Sequence, residues 1–174
     1  MAKSKTHNLL AKIRDNFERD AKLLNADLAE MGLEPEKYTQ SLDEPVRIKN
    51  LPTLEQGTRR LISPMLKERF AFCGRWRRFG EIWLSAEQME TVCRNRQFKR
   101  NFRIQKEEWE NSAPAIIPPN RLTVYSVSSH DDGDYTYLVW PERQNGEPQL
   151  WRYQSQSETQ FKNLQEFLEW QAGS

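Results

Sequence analysis

Two stretches of this 174-residue chain gather side chains densely enough to suggest chemistry. The first is His130, Asp131, Asp132 and Asp134. Hard cations take several carboxylate oxygens, but an EF-hand-type loop also needs alternating ligands and a distal Glu at fixed spacing. Here the acidic run stops at Tyr135 and enters a strand-like stretch. Asp and Gly tolerate turn backbones, so the run reads as a polar turn, open to a role in partner contact, and no metal or cofactor is expected. The second is the basic run from Arg94 to Lys106, RNRQFKRNFRIQK, with Arg75, Arg77 and Arg78 nearby in sequence. Its charges interleave with Phe98, Phe102 and Trp76, as phosphate-neutralising cations and stacking rings do in nucleic-acid binders. Arg75, Arg77, Arg78, Arg94, Arg96, Lys99, Arg100 and Arg103 are therefore candidate nucleic-acid contacts. Against that reading stand the lack of a known nucleic-acid motif and a pI of about 7.8. The same rings could be core and the arginines a solvated face.

Nucleophilic catalysis has less support. Cys73 or Cys93 could in principle meet His130, but neither cysteine sits in a local signature, and a nucleophile needs a positioned base. The two cysteines lack CxxC spacing, which removes zinc and redox-motif readings and leaves buried free thiols, with a disulfide as the alternative. Seven scattered glycines make no phosphate loop, and Glu107 and Glu108 read as surface residues. No catalytic residue is assigned, and the chain is expected not to be an enzyme.

The elements that would position these groups follow from composition and period. Hydrophobic residues make up 37% and charged ones 29%, so six Trp, eight Phe and five Tyr must supply much of the core. Charge is segregated: residues 59–106 carry 13 basic and 4 acidic side chains, residues 107–174 carry 4 and 11. The two blocks could attract partners or neutralise one another in the fold. No apolar run approaches the roughly 20 residues that span a bilayer, so no membrane association is expected. Charges interrupt the N-terminus every few residues, which argues against a secretory signal, and the expected compartment is cytoplasmic.

Leu10, Ile13, Phe17, Ala21, Leu24, Leu28 and Met31 share one helical stripe that Gly32 would end. The stripe is nearly heptad, so the helix could pack on its own domain or pair with a second copy, leaving monomer and homodimer both open. Residues 34–52 read as a turn-rich linker with a short strand at Val46–Ile48. Thr53 with Gln56 has capping-box spacing for a helix, Ser63-Pro64 restarts one, and Ser85 with Gln88 caps another through about Gln97. Short strands are expected among Phe70, Phe72, Trp76, Phe79, Ile82 and Leu84. Residues 94–110 fit a helix to Glu110 or a strand near Phe102–Ile104, and APAIIPPN reads as a loop. In the strand that follows, Leu122, Val124 and Ser126 face one way and Thr123, Tyr125 and Val127 the other. Strands at Tyr135–Trp140 and Gln149–Tyr153 come next, then a helix presenting Phe161, Leu164, Phe167 and Leu168.

The closing third carries a resemblance. A Gly133-Asp134-Tyr135 turn, a strand ending in Tyr137-Leu138, a Gly146-Glu147-Pro148 turn, the aromatic strand with Trp151 and Tyr153, and the Phe161, Leu164, Phe167, Leu168 pattern occur in order. This resembles the C-terminal half of the SUKH superfamily, which includes fungal cell-wall assembly regulators and bacterial toxin-immunity proteins. The run Phe79-Gly80 through Trp83-Leu84-Ser85 and its capped helix is similar to the family's middle portion. The Asn-Gly turn usual after that family's first helix is missing from FAFCGRWRRFG. The resemblance implies an α+β domain over residues 51–174, a mixed or antiparallel sheet flanked by helices, with residues 1–50 as an added amphipathic helix and linker. It implies a module that binds another protein, in the bacterial branch often a toxin. Asp131, Asp132 and Asp134 would offer acidic contacts there, with Tyr135 and Trp140 as ring anchors.

Overall fold

The computed structural model describes residues 4–33, 39–128, 133–143, 146–155 and 157–173; His130, Asp131 and Asp132 lie outside them. The chain begins with α1 (Lys5–Glu30), β1 (Ser41–Leu42), β2 (Asn50–Pro52) and β3 (Arg59–Leu61). Next come α2 (Pro64–Phe72), β4 (Trp76–Arg78), β5 (Glu81–Trp83), α3 (Ala86–Val92), α4 (Arg96–Glu108) and α5 (Ala113–Ile116). After a 3-10 turn at Pro119–Arg121 follow β6 (Leu122–Ser128), β7 (Tyr135–Val139), β8 (Gln149–Gln154), β9 (Ser157–Phe161) and α6 (Leu164–Gln171). Seven strands form one antiparallel sheet in the order β1-β4-β5-β6-β7-β8-β9, and β2 pairs with β3 in a separate hairpin. The fold is α+β. Residues 41–42 extend this same sheet by pairing with β4.

Register assigns the two faces. Trp76, Trp83, Ser126, Thr136 and Arg152 lie in one row across β4 to β8; Arg77, Ile82, Val127, Tyr135 and Tyr153 lie in the adjacent row, pointing the other way. The first face meets α6: the Phe167 ring sits 5.6 Å from Trp83, 5.9 Å from Tyr125 and 5.3 Å from Phe161. The second meets α4 and α5. Phe98 packs edge-on to Tyr135 at 5.2 Å, and the Ala113 amide donates to the Tyr153 hydroxyl at 2.7 Å. With helices on both sides, β7 is buried at every position, which is why its sequence hardly alternates.

Several local expectations are corrected. Thr53–Thr58 is the β2–β3 loop, not a helix. The Thr53 hydroxyl lies within hydrogen-bonding reach of the Glu55 and Thr58 carbonyls, and Gly57, at φ +82°, sits where a type II turn needs glycine. Val46–Ile48 is not a strand, and Phe70 and Phe72 belong to α2, which Ser63 caps through the Leu66 amide. The Ser85–Gln88 capping box is present, but its helix ends at Val92 because Asn95 caps a new one through the Gln97 and Phe98 amides. Residues 94–110 are therefore helical from Arg96 to Glu108, and APAI forms the short α5. A bulge between Val124 and Ser126 reverses the alternation, so Val127 shares a face with Val124. Phe161 ends strand β9 instead of opening the last helix, yet it still reaches Phe167.

Phe167 is fully buried at the centre of the α6 layer. Phe167→Ala is expected to lower unfolding stability by about 3–5 kcal/mol in a urea titration. A loss below about 1 kcal/mol would mean that α6 is not a structural part of the core.

Candidate functional site

The most ionised interior point is Glu81, on the face beneath α6. Its Oε2 accepts from Arg78 Nη2 at 2.8 Å and from Gln171 Nε2 at 3.3 Å, while Oε1 accepts from Ser126 Oγ at 2.8 Å and from Arg152 Nη1. Burial pushes this carboxyl up, but Arg78 and Arg152, with the Ser126 donor, outweigh it and hold it below the ordinary carboxylate value. A carboxylate so clamped neither donates nor takes protons near neutral pH. It ties β5 to β4, β8 and α6 and serves structure.

Arg69 is also fully buried. It donates to the Cys73 carbonyl at 2.8 Å and the Gly74 carbonyl at 2.6 Å, and lies 4.3 Å from the centre of the Phe70 ring. Both cysteines are free thiols, Cys73 buried and Cys93 half-buried, and burial pushes each above its ordinary value, so both stay protonated near neutrality. Burial likewise raises Tyr125 to about 12, Tyr137 well above its usual value, and Tyr153. No three His, Cys, Asp or Glu side chains among the described residues are grouped to hold a metal ion.

Of the acidic and aromatic set, Tyr135 and Trp140 are core residues, 8% and 1% exposed, and not surface anchors. The Tyr135 hydroxyl accepts from Asn101, and Trp140 Nε1 donates to Thr123 Oγ1 at 2.9 Å. Both faces of the sheet are covered, so rings on β7 have nowhere exposed to point. Asp134 is half-buried and accepts from the Ser155 amide at 3.1 Å. Asp131 and Asp132 lie outside the described residues.

The basic set does not form one face. Arg78 is buried against Glu81, Arg75 pairs with Asp43 at 3.1 Å, and Arg77 is exposed on the strand next to the sheet edge. Arg94, Arg96, Lys99, Arg100 and Arg103 are all exposed, and none pairs with a carboxylate among the described residues. At 100° per residue Arg96, Lys99, Arg100, Arg103 and Lys106 form one stripe along the outer side of α4, opposite Phe98 and Gln105.

Two further features escaped the sequence reading. In α1 only Thr6, Leu10 and Ile13 are buried, against α2 and α6. Beyond Glu18 no described residue to Leu33 hydrogen-bonds or ion-pairs outside the helix and its own C-terminal turn. Leu23, Leu24, Met31 and Leu33 are exposed there. The stripe was legible; that its buried residues all lie in the first half was not. The second feature is a cleft of about 320 Å³ between the β2–β3 loop and the α3–α4 corner, bordered by Leu54, Arg59, Glu90, Cys93, Arg94 and Lys99. It joins residues some 40 positions apart, a pairing no local pattern announces.

No protein-family model, curated protein or solved structure shows a significant match to the chain.

Because Glu81 titrates lower folded than unfolded, its contribution is complete above the ordinary carboxylate value and is lost as pH falls through its depressed folded value. Glu81→Gln should cost about 3–5 kcal/mol at pH 7 by urea unfolding, since it strands two guanidiniums. The gap from wild type should begin to narrow as pH drops below the ordinary glutamate value of about 4.3, where the carboxyl protonates in the unfolded chain, and go on narrowing towards the depressed folded value. An equal gap at pH 7 and pH 3 would assign the residue to packing alone.

Proposed function

We propose that this chain is a non-enzymatic module that recognises another protein, a toxin-immunity or regulatory protein of the kind the SUKH resemblance implies. One observation carries the reading: among the described residues, none from Arg19 to Glu30 is buried and no side chain there bonds outside the helix. From Arg19 to Glu30 the helix extends roughly 18 Å at 1.5 Å per residue. This stretch continues a 26-residue helix whose buried residues all lie in its first half, so its own apolar face adds stability where something packs on it. Ala21, Leu24, Leu28 and Met31 supply that face, and Leu24 and Met31 are exposed. Glu18, Asp20 and Asp27 border it. A second copy laid antiparallel about the midpoint of Leu23 and Leu24 would set Asp20, which pairs with Arg19 at 3.0 Å, against Asp27, so the charge pattern suits a partner with a Lys or Arg beside its own apolar contact.

The double variant Leu24→Asp/Met31→Asp tests this. It should stay within about 0.5 kcal/mol of wild type in stability per surface change, since neither side chain is in the core. A basic protein retained in stoichiometric amount by the wild-type chain, on purification from its native cells, should be lost. Retention of that protein by the variant overturns the reading. A wild-type dimer in light scattering that the variant abolishes would reassign the seam to self-association.

A second reading has its own observation, the unpaired cationic stripe on α4, which could follow a nucleic-acid backbone. It predicts nonspecific RNA or DNA binding that weakens linearly in log salt. Arg96→Ala, Arg100→Ala and Arg103→Ala should each reduce the slope by about one. Absence of binding at 50 mM salt, in the ionic range where such contacts are strong, removes this reading.

A further inference from the structure

We infer that the cleft between the β2–β3 loop and the α3–α4 corner binds a small organic phosphate, a phosphate monoester on a flat apolar body about the size of a mononucleotide. The cleft measures about 320 Å³, the lower end of ordinary small-molecule sites. Its border carries three cations, Arg59, Arg94 and Lys99, against one carboxylate, Glu90. That carboxylate is already committed: it accepts from Arg59 Nη2 at 2.6 Å, and Arg59 Nη1 donates to Asn50 Oδ1 at 3.4 Å, which fixes the guanidinium at the rim with part of its donor fork still available. Arg94 and Lys99 have no carboxylate partner among the described residues. The surplus of two positive charges matches the charge of about −1.5 to −2 on a phosphate monoester at neutral pH. Arginine forks and a lysine point charge are the usual side-chain donors to such a group.

The loop adds backbone donors. Thr58 N closes the turn on the Glu55 carbonyl, and the amides of Gln56 and Gly57 at its tip donate to no other described residue. The remaining wall is neutral: Pro52, Leu54 and the Cys93 thiol. That thiol is kept protonated by burial and lies 3.6 Å from the Met89 carbonyl as its donor. Cations at the rim and a neutral wall behind them suit a ligand with one anionic end and one apolar end.

The test titrates the full chain with adenosine 5′-monophosphate, adenosine and inorganic phosphate by calorimetry at low salt. It also follows modification of Cys93 by a disulfide reagent, with Cys73 fully buried and silent. The nucleotide should bind saturably, slow Cys93 modification and be displaced by phosphate, while adenosine binds at least about tenfold more weakly. Arg94→Ala and Lys99→Ala should each weaken it about tenfold; Arg103→Ala, farther along α4, should not. No saturation, adenosine binding as tightly as the nucleotide, unprotected Cys93, or an equal loss in Arg103→Ala overturns the assignment. The Leu24→Asp/Met31→Asp variant should bind the nucleotide unchanged, so this result stands or falls apart from the protein-recognition reading.

Discussion

Covering both faces of one sheet is the constraint from which the rest of this structure follows. Two helical layers leave no solvent-facing sheet surface over β6, β7 and most of β8, so the rings on those strands are drawn inward. Phe167 meets Trp83, Tyr125 and Phe161 on one side; Tyr135, Tyr137 and Tyr153 line up under Phe98, Phe102 and Trp109 on the other. Aromatic contacts of this kind add to the area they bury. A chain with only 37% hydrophobic residues needs them there. Recognition surfaces are consequently displaced from the strands to the outer sides of the helices and to the loops that join them.

The same enclosure explains the interior charges. An arginine at the end of β4 and another on β8 point into the layer beneath α6, where an unpaired guanidinium would be costly. Glu81 answers both, and Ser126 and Gln171 satisfy its remaining lone pairs. Such a network contributes specificity of strand order more readily than net stability, because desolvation offsets much of the Coulomb gain. Arg69 solves the same problem without a carboxylate, by donating to carbonyls at the exit of α2 and stacking on Phe70. Arg69 and Arg78 belong to the basic block of residues 59–106, whose surplus is thus smaller at the surface than along the chain.

Local signals were legible where the physics is local. The Ser63 and Ser85 caps, the Gly32 stop, the strands β6, β7 and β8 and the closing helix were all readable from spacing. Thr53 misled because a capping-box spacing also fits a hairpin loop, and the choice was made by pairing between β2 and β3, which lie on either side of it. Phe161 misled because helical period and strand end place it against the same neighbour. Tyr135 looked like an anchor only while the α4 layer was unseen, in the stretch whose structure the sequence left open; Trp140 lies on the opposite face, where it donates to Thr123.

The outer side of α4 and the distal half of α1 now carry opposite signs on separate elements. Neither feature is neutralised by the other through any ion pair among the described residues. Solvated charge on a helix flank is ordinary, so the α4 stripe alone distinguishes little. An exposed leucine and methionine near the end of α1 are different, because leaving them in water gives up burial worth about 25 cal/mol per Å² of apolar surface. The cationic stripe gains little from being covered and the apolar seam would gain burial, which is why we propose recognition of a protein along α1 ahead of nucleic-acid binding along α4.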